Sequence, residues 1–289
     1  MRKSLWVIGF PALTALGCGA MNRAAIGFLD PVMVDAANKI ERDTDLDLVR
    51  DGLPGTILLI DGLLETSPED DALHLVQARS ITGYALGFVE DVDRERASRL
   101  YLRARGHAFD VLTRHDDRFA RALAGNLAGF QEAVRNLDDD RLEAIFWAAN
   151  SWGSWINLNL DDTEALADLP RAEALMRRAL EIDPSFYHAG PHLFLGVYYA
   201  SRSKILGGDP VRAQRHFDHV FSLTHNNYLL AHVFYAQYFA RQAWDEELFV
   251  ETLTWVLDRP DGLYPDAGLA NSIAKRKAEG LLTLAEEWF

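Results

Sequence analysis

Ala172, Met176, Ala179 and Pro184 set a spacing that few chain geometries satisfy. Positions three and four apart share one face of a helix. On such a face small residues let a neighbouring helix approach, and the large one between them fills the gap. Proline lacks an N–H and clashes with the preceding turn, so it ends the helix. Ala97, Tyr101 and Ala104 repeat three of the four places, and Ala213, Phe217 and Val220 repeat them loosely. A second pattern, Leu-Gly-x-x-Tyr, stands at Leu195-Gly196 with Tyr199, and a weaker form at Trp152-Gly153 with Ile156. The recurrence of both patterns predicts pairs of antiparallel helices stacked in a row.

The small-large-small-proline helix paired with a Leu-Gly-x-x-Tyr helix describes a tetratricopeptide unit. The expected fold is therefore all-α: divergent tetratricopeptide-like helical hairpins, stacked as a short solenoid over residues 45–289. Local signals agree. Asp209-Pro210 supplies a side-chain cap and a proline at the first helical position. Asp93, Asp168 and Asn226 are candidate caps for the helices after them, and Pro68 and Pro184 follow the ends of two others. Gly207-Gly208 marks a loop. The one strand-like run, Ile57-Leu58-Leu59-Ile60, lies inside a longer helical pattern that includes Leu63 and Leu64.

The first residues read as an export signal. Met1-Arg2-Lys3 is basic, and Leu5 to Leu16 is apolar but too short to span a bilayer permanently. Gly17 then precedes Cys18, the single cysteine of the chain. Residues 1–17 are expected to be removed as a signal peptide and the Cys18 thiol to be acylated. Ala15 stands where such a box usually carries Leu, Val or Ile. Gly19, in place of Asp, directs the lipid to the outer rather than the inner membrane under enteric-type sorting. Residues 18–44 read as a tether with one short helix, and no later segment is apolar enough to span.

The chain carries 43 acidic against 29 basic residues, a formal charge of −14. That balance opposes nucleic acid, whose phosphates demand basic patches. With Cys18 assigned to lipid, no cysteine nucleophile remains. The chain has no G-x-S-x-G, H-E-x-x-H or G-x-x-x-x-G-K pattern, so neither an enzyme nor a cofactor is expected. Six of the nine histidines fall between His188 and His232. His216 and His219 share a helix face, whereas Gly190-Pro191 breaks the alignment of His188 with His192. No metal site is expected in the chain, and no carboxylate or cysteine pattern accompanies this stretch.

Aromatic residues crowd the helices that carry the glycine pattern. Residues Ala144 to Ile156 are apolar nearly all round, which describes a buried helix. First helices of stacked hairpins line the concave side of a solenoid, so some of these aromatics are expected to face a groove or pore while others fill the core. Tyr84, Phe88, Asn150, Trp152, Trp155, Tyr198, Tyr199 and Tyr235 are the candidate ligand- or pore-lining residues. An adaptor scaffold is the first functional reading, and a stand-alone carrier of a hydrophobic ligand the second.

Several stretches resemble the T-component of tripartite ATP-independent periplasmic (TRAP) transporters. They are Asp47-Leu48-Val49-Arg50 leading into Leu63-Leu64-Glu65, and Thr82-Gly83-Tyr84-Ala85 with Phe88-Val89-Glu90. Arg96-Ala97-x-x-Leu100-Tyr101-x-Arg103-Ala104 follows, and then Trp147 to Asn150 with Trp152-Gly153. The resemblance extends over roughly residues 22 to 289. It implies a periplasmic lipoprotein with cryptic tetratricopeptide repeats, assembled as a homo-trimer with a channel-like opening through each protomer. It also implies pairing with the transporter's solute-binding protein and a lipophilic small molecule as cargo.

Overall fold

A computed structural model describes Gly27 and residues 29–289, and among these every regular element is helical. The expected signal peptide, Cys18 and Gly19 lie outside the described residues. The helices are α1 (Asp30–Glu41), α2 (Leu46–Thr66), α3 (Asp71–Tyr84), α4 (Arg94–His115), α5 (Asp117–Leu123), α6 (Leu127–Arg135) and α7 (Leu142–Leu158). They continue as α8 (Thr163–Ile182), α9 (Phe186–Ala200), α10 (Pro210–Leu223), α11 (Leu229–Phe234), α12 (Glu246–Leu257), α13 (Gly268–Leu282) and α14 (Ala285–Trp288). Two of them run on into π-helical segments, α3 through Ala85–Val89 and α11 through Tyr235–Ala240.

Much of the acidic excess starts helices. Asp45, Asp70, Asp93, Asp116, Asp162, Asp209 and Asp245 each accept a hydrogen bond from a backbone N–H of the first turn, and Asn126 does the same for α6. Each such cap stabilises its helix by about 1 kcal/mol. Two expected caps are corrected. Asp168 lies inside α8, which Asp162 caps, and it accepts instead from Trp152 Nε1 at 3.0 Å. Asn226 sits in a left-handed turn with φ 59°, and α11 starts later, with Leu229 N donating to Asn271 Oδ1 at 2.9 Å.

The hairpins are α3/α4, α7/α8, α9/α10 and α11/α12, with α5 and α6 inserted between the first two. The spacing read from sequence is the packing face of each second helix. Ala97, Tyr101, Ala104, Ala172, Met176, Ala179, Ala213, Phe217 and Val220 are all fully buried. Glycines of the first helices are where helices come closest, Gly196 within its own hairpin and Gly190 and Gly153 between neighbouring hairpins. A Cβ on Gly196 would lie 3.2 Å from the Phe217 ring, one on Gly190 2.6 Å from Phe146, and one on Gly153 would overlap Phe194. These contacts, with Thr82 Oγ1 3.0 Å from Ser151 Oγ, run the first helices parallel and side by side.

The stack then closes on itself. Met33 and Ala37 of α1 pack with Ile60, Leu64, Leu73 and Val76, which attaches α1 to α2 and α3. At the other end of the chain α13 crosses back. A Cβ on its Gly268 would lie 2.7 Å from the Arg42 carbonyl, and Arg42 Nε reaches Asp266 at 3.1 Å. Ile273 fills the space beside Gly87, and Arg276 donates to the Gly87 carbonyl. Lys277 Nζ reaches Glu90 at 2.7 Å and Asp91 at 2.8 Å. Among the described residues no helix is long and apolar enough to cross a membrane.

Several histidines belong to the packing within and between hairpins. His192 Nδ1 lies 2.9 Å from His216 Nδ1, and His219 stacks on the His192 ring at 4.6 Å. His232 is sandwiched by Phe221 at 4.2 Å and Trp255 at 4.4 Å. Burial pushes His192, His216 and His232 from 6.5 down to about 4, with neighbouring histidines adding to it for the first two. The folded rings are thus neutral where the unfolded ones begin to ionise. Stability tied to them is complete above about 6.5 and is lost as pH falls toward 4. The urea midpoint is expected to fall between pH 7 and pH 5. His232→Phe, which preserves the aromatic sandwich, should flatten that fall.

Candidate functional site

The four first helices, with α1, α2 and α13, line a partly open cavity of about 490 Å³. Its wall follows one helical period on each element. On α7 it takes Phe146, Asn150, Gly153 and Asn157; on α9, Gly190, Leu193, Phe194 and Val197; on α11 and its π segment, Leu230, Phe234, Gln237 and Tyr238. Leu53 of α2, Leu86 after α3, and Leu269 and Ile273 of α13 complete an apolar waist. A second cavity of about 390 Å³ abuts the first and shares Glu41, Arg79, Trp147, Tyr187, His188 and Asp266 with it.

Because the first helices run parallel, their N-terminal residues gather at one end of the cavity. Arg79 lies there, paired with Glu41 and donating to Asn38 Oδ1 at 3.0 Å. The Tyr187 hydroxyl donates to Glu41 Oε1 at 2.6 Å. Burial, reinforced by Glu41, pushes the Tyr187 phenol well above its ordinary value, so it remains a donor. Burial also raises the Glu143 carboxyl, against the opposing pull of Arg79.

Backbone strain is concentrated here. Tyr187, His188 and Ala189 take φ values of 45°, 59° and 59°, a full left-handed turn inside α9. Such a turn costs about 1–2 kcal/mol per residue for L-amino acids. Packing holds it: Tyr187 stands edge-on to Trp147 at 4.8 Å, and His188 stacks on Tyr228 at 5.0 Å. The break between His188 and His192 therefore falls one residue ahead of Gly190-Pro191. Its result is that Tyr187 and His188 project where the two cavities meet.

The C-terminal residues of the first helices form the other end. Glu90 accepts from the Tyr101 hydroxyl at 2.6 Å and from Lys277 Nζ at 2.7 Å. Burial pushes the Glu90 carboxyl up. Burial alone would lower Lys277, but Glu90 and Asp91 hold it protonated. Arg94 Nε donates to the Leu158 carbonyl at 2.7 Å, and Arg241 lines the same end. Both π-helical segments terminate here. A π turn adds a residue to the backbone circumference and is frequent at functional sites.

Of the candidate lining residues, Asn150 and Tyr198 contribute to this wall. The other six are placed elsewhere. Trp152 is buried against Phe109 and Phe130, with its Nε1 donating to Asp168. Trp155 lies under the Arg105 guanidinium at 5.9 Å. The Tyr199 hydroxyl donates to Glu173 Oε1 at 2.7 Å, and the Tyr235 hydroxyl to Gln214 Oε1 at 2.9 Å. Tyr84 and Phe88 pack together at 5.9 Å, beneath Arg96 and Arg276. In each case the chosen aromatic sits one to three positions off the cavity face. Phe146, Phe194 and Phe234 stand on that face, and their i, i+3, i+4 partners in the sequence were the available signal. The polar ends (Glu41, Arg79, Tyr187, His188, Glu90) converge from α1, α3, α9 and the segment after α3, so no local spacing joined them into one site.

An apolar waist between two polar, hydrogen-bonding ends fits an elongated amphiphile rather than a small ion. No match was found among the curated proteins. The family model described as the TRAP transporter T-component matches residues 42–289, from the end of α1 through every hairpin and the closing helix, and the chain belongs to that family.

Proposed function

We propose that this T-component holds a lipophilic small molecule in its central cavity and passes it to, or receives it from, the solute-binding protein of its TRAP transporter. The observation that carries the reading is the apolar waist flanked by Arg79–Glu41 at one end and Glu90–Lys277 at the other. Apolar lining contributes roughly 25 cal/mol per Å² of ligand surface removed from water, and the polar ends fix orientation. Transfer is passive, driven by differences in affinity between the two partners. Acylation of Cys18 tethers the chain to the periplasmic face of a bacterial membrane, the outer one under enteric-type sorting, and raises its effective concentration near other membrane components. Three copies assemble as a homo-trimer.

Val197→Trp tests the cavity directly. Val197 lies on the wall, and an indole there occupies the waist without touching either polar end. The variant is expected to lose at least about tenfold in affinity for a fluorescent long-chain acyl probe while its melting temperature changes by a few degrees. Unchanged probe affinity would remove the cavity from the mechanism. Stoichiometric recovery of a solute-binding protein with the wild-type chain from solubilised membranes supports the transfer role. Recovery of a bound lipophile with no protein partner instead supports a stand-alone carrier.

A further inference from the structure

Outside the cavity, the hairpin α3/α4 brings together three side chains that the histidine-rich stretch 188–232 overshadows in the sequence. His74 of α3 is buried, His107 of α4 is half-buried, and Asp110, one turn further along α4, is exposed. His107 and Asp110 are three apart and so share a face. His74 Nδ1 lies 3.1 Å from His107 Nδ1 and 3.8 Å from Asp110 Oδ2.

The tautomer of His74 is set from behind. Its Nε2 faces the Pro68 carbonyl oxygen at 3.0 Å. That oxygen can only accept, so Nε2 carries the hydrogen and Nδ1 keeps its lone pair. The carbonyl is itself fixed: Arg114 Nη2 donates to it at 2.8 Å, and the same guanidinium is anchored on Asp71. A backbone carbonyl that orients the far nitrogen of an imidazole is the usual outer support of a metal-binding histidine.

The spacing fits a small cation. The three donor atoms all lie within 4.8 Å of one another. A tetrahedral ion with bonds of about 2.0–2.2 Å sets its donors roughly 3.3 Å apart. The two nitrogens are already near that separation, and the exposed Asp110 side chain, 3.8 Å from His74 Nδ1, closes on them by side-chain rotation. The second histidine group has no such arrangement. His219 presents its ring face to His192, and a ring face has no lone pair to donate.

We propose that His74 Nδ1, His107 Nδ1 and Asp110 Oδ2 bind one divalent transition-metal ion of the zinc class, with the fourth position open to water. Coordination through His107 Nδ1 places that ring's hydrogen on Nε2. The ion ties α3 to α4 on the side away from the cavity, below the turn of α3 that carries Arg79.

Zinc titration into the tag-free full chain at pH 7.5, followed by calorimetry, tests the site. Cobalt(II) absorption reports its geometry. One equivalent of zinc is expected to bind, with the visible bands of tetrahedral cobalt appearing on cobalt addition and vanishing when zinc displaces it. Asp110→Asn is expected to weaken zinc about 10- to 100-fold, and His107→Gln to abolish both signals. Both positions reach the surface, and unchanged circular dichroism checks that the variants fold. His216→Gln is expected to leave zinc binding unchanged. Saturable binding that survives His107→Gln, or the absence of binding at one equivalent, would overturn the assignment.

Discussion

Lys277→Ala is expected to destabilise the fold by about 3–5 kcal/mol, as removal of one partner from a buried ion pair does. The ammonium is almost wholly enclosed, and it serves two carboxylates of the segment following α3, Glu90 and Asp91. Asp91 is exposed and can turn to water. Glu90 cannot, so alanine leaves a carboxylate without its counter-charge. Its carboxyl is then pushed further up, and the proton it takes on relieves part of the cost at low pH. A carboxyl raised in the fold contributes stability below its unfolded value and loses it as pH rises. The deficit should thus be larger at pH 8 than at pH 5 in urea denaturation. Glu90→Gln in the same chain should recover most of it. Equal deficits at both pH values would mean that Lys277 acts through its packed hydrocarbon stem.

Phe217→Ala is expected to cost about 3–5 kcal/mol by leaving a cavity between two hairpins. The ring is fully buried, faces the bare Cα of Gly196, and stands edge-on to Tyr235 at 5.2 Å. Gly196→Ala probes the same joint from the other side, since its methyl would meet a ring that has nowhere to move. A loss under about 1 kcal/mol for Phe217→Ala would mean that α9 and α10 close the gap, and that the hairpin is looser than its burial indicates.

That joint also shows why the fold was legible. Ala213, Phe217 and Val220 matched the small-large-small spacing loosely, yet they pack as the strict match Ala172, Met176 and Ala179 does. What the spacing encodes is volume at a contact, and volume tolerates substitution. The caps were legible for the same local reason, although Asp168 and Asn226 show that a capping residue type does not ensure a cap. The cavity was legible as a property of the first helices but not residue by residue. A helix such as α7 is apolar around its whole circumference, so its sequence does not say which side meets a void. Phe146 and Trp152 are equally aromatic, and the close approach of α7 and α9 at Gly153 and Gly190 decides between them. The left-handed turn at Tyr187 to Ala189 had no glycine signature, because tertiary packing rather than backbone preference sustains it.

Closure by α13 bears on how the molecule comes to be. A hairpin stack is built from near neighbours and assembles locally, whereas the Lys277–Glu90 contact joins positions 187 residues apart. Bringing such distant points together carries a loop entropy that is repaid only after the intervening hairpins have formed, so this seam is the last part of the chain to fold. By the same reasoning it is the first to open, and amide exchange in α13 should outpace exchange in α7 or α9. The cavity is complete only while the seam is shut. Under the proposed function, a molecule held there would add its binding affinity to the stability of this seam.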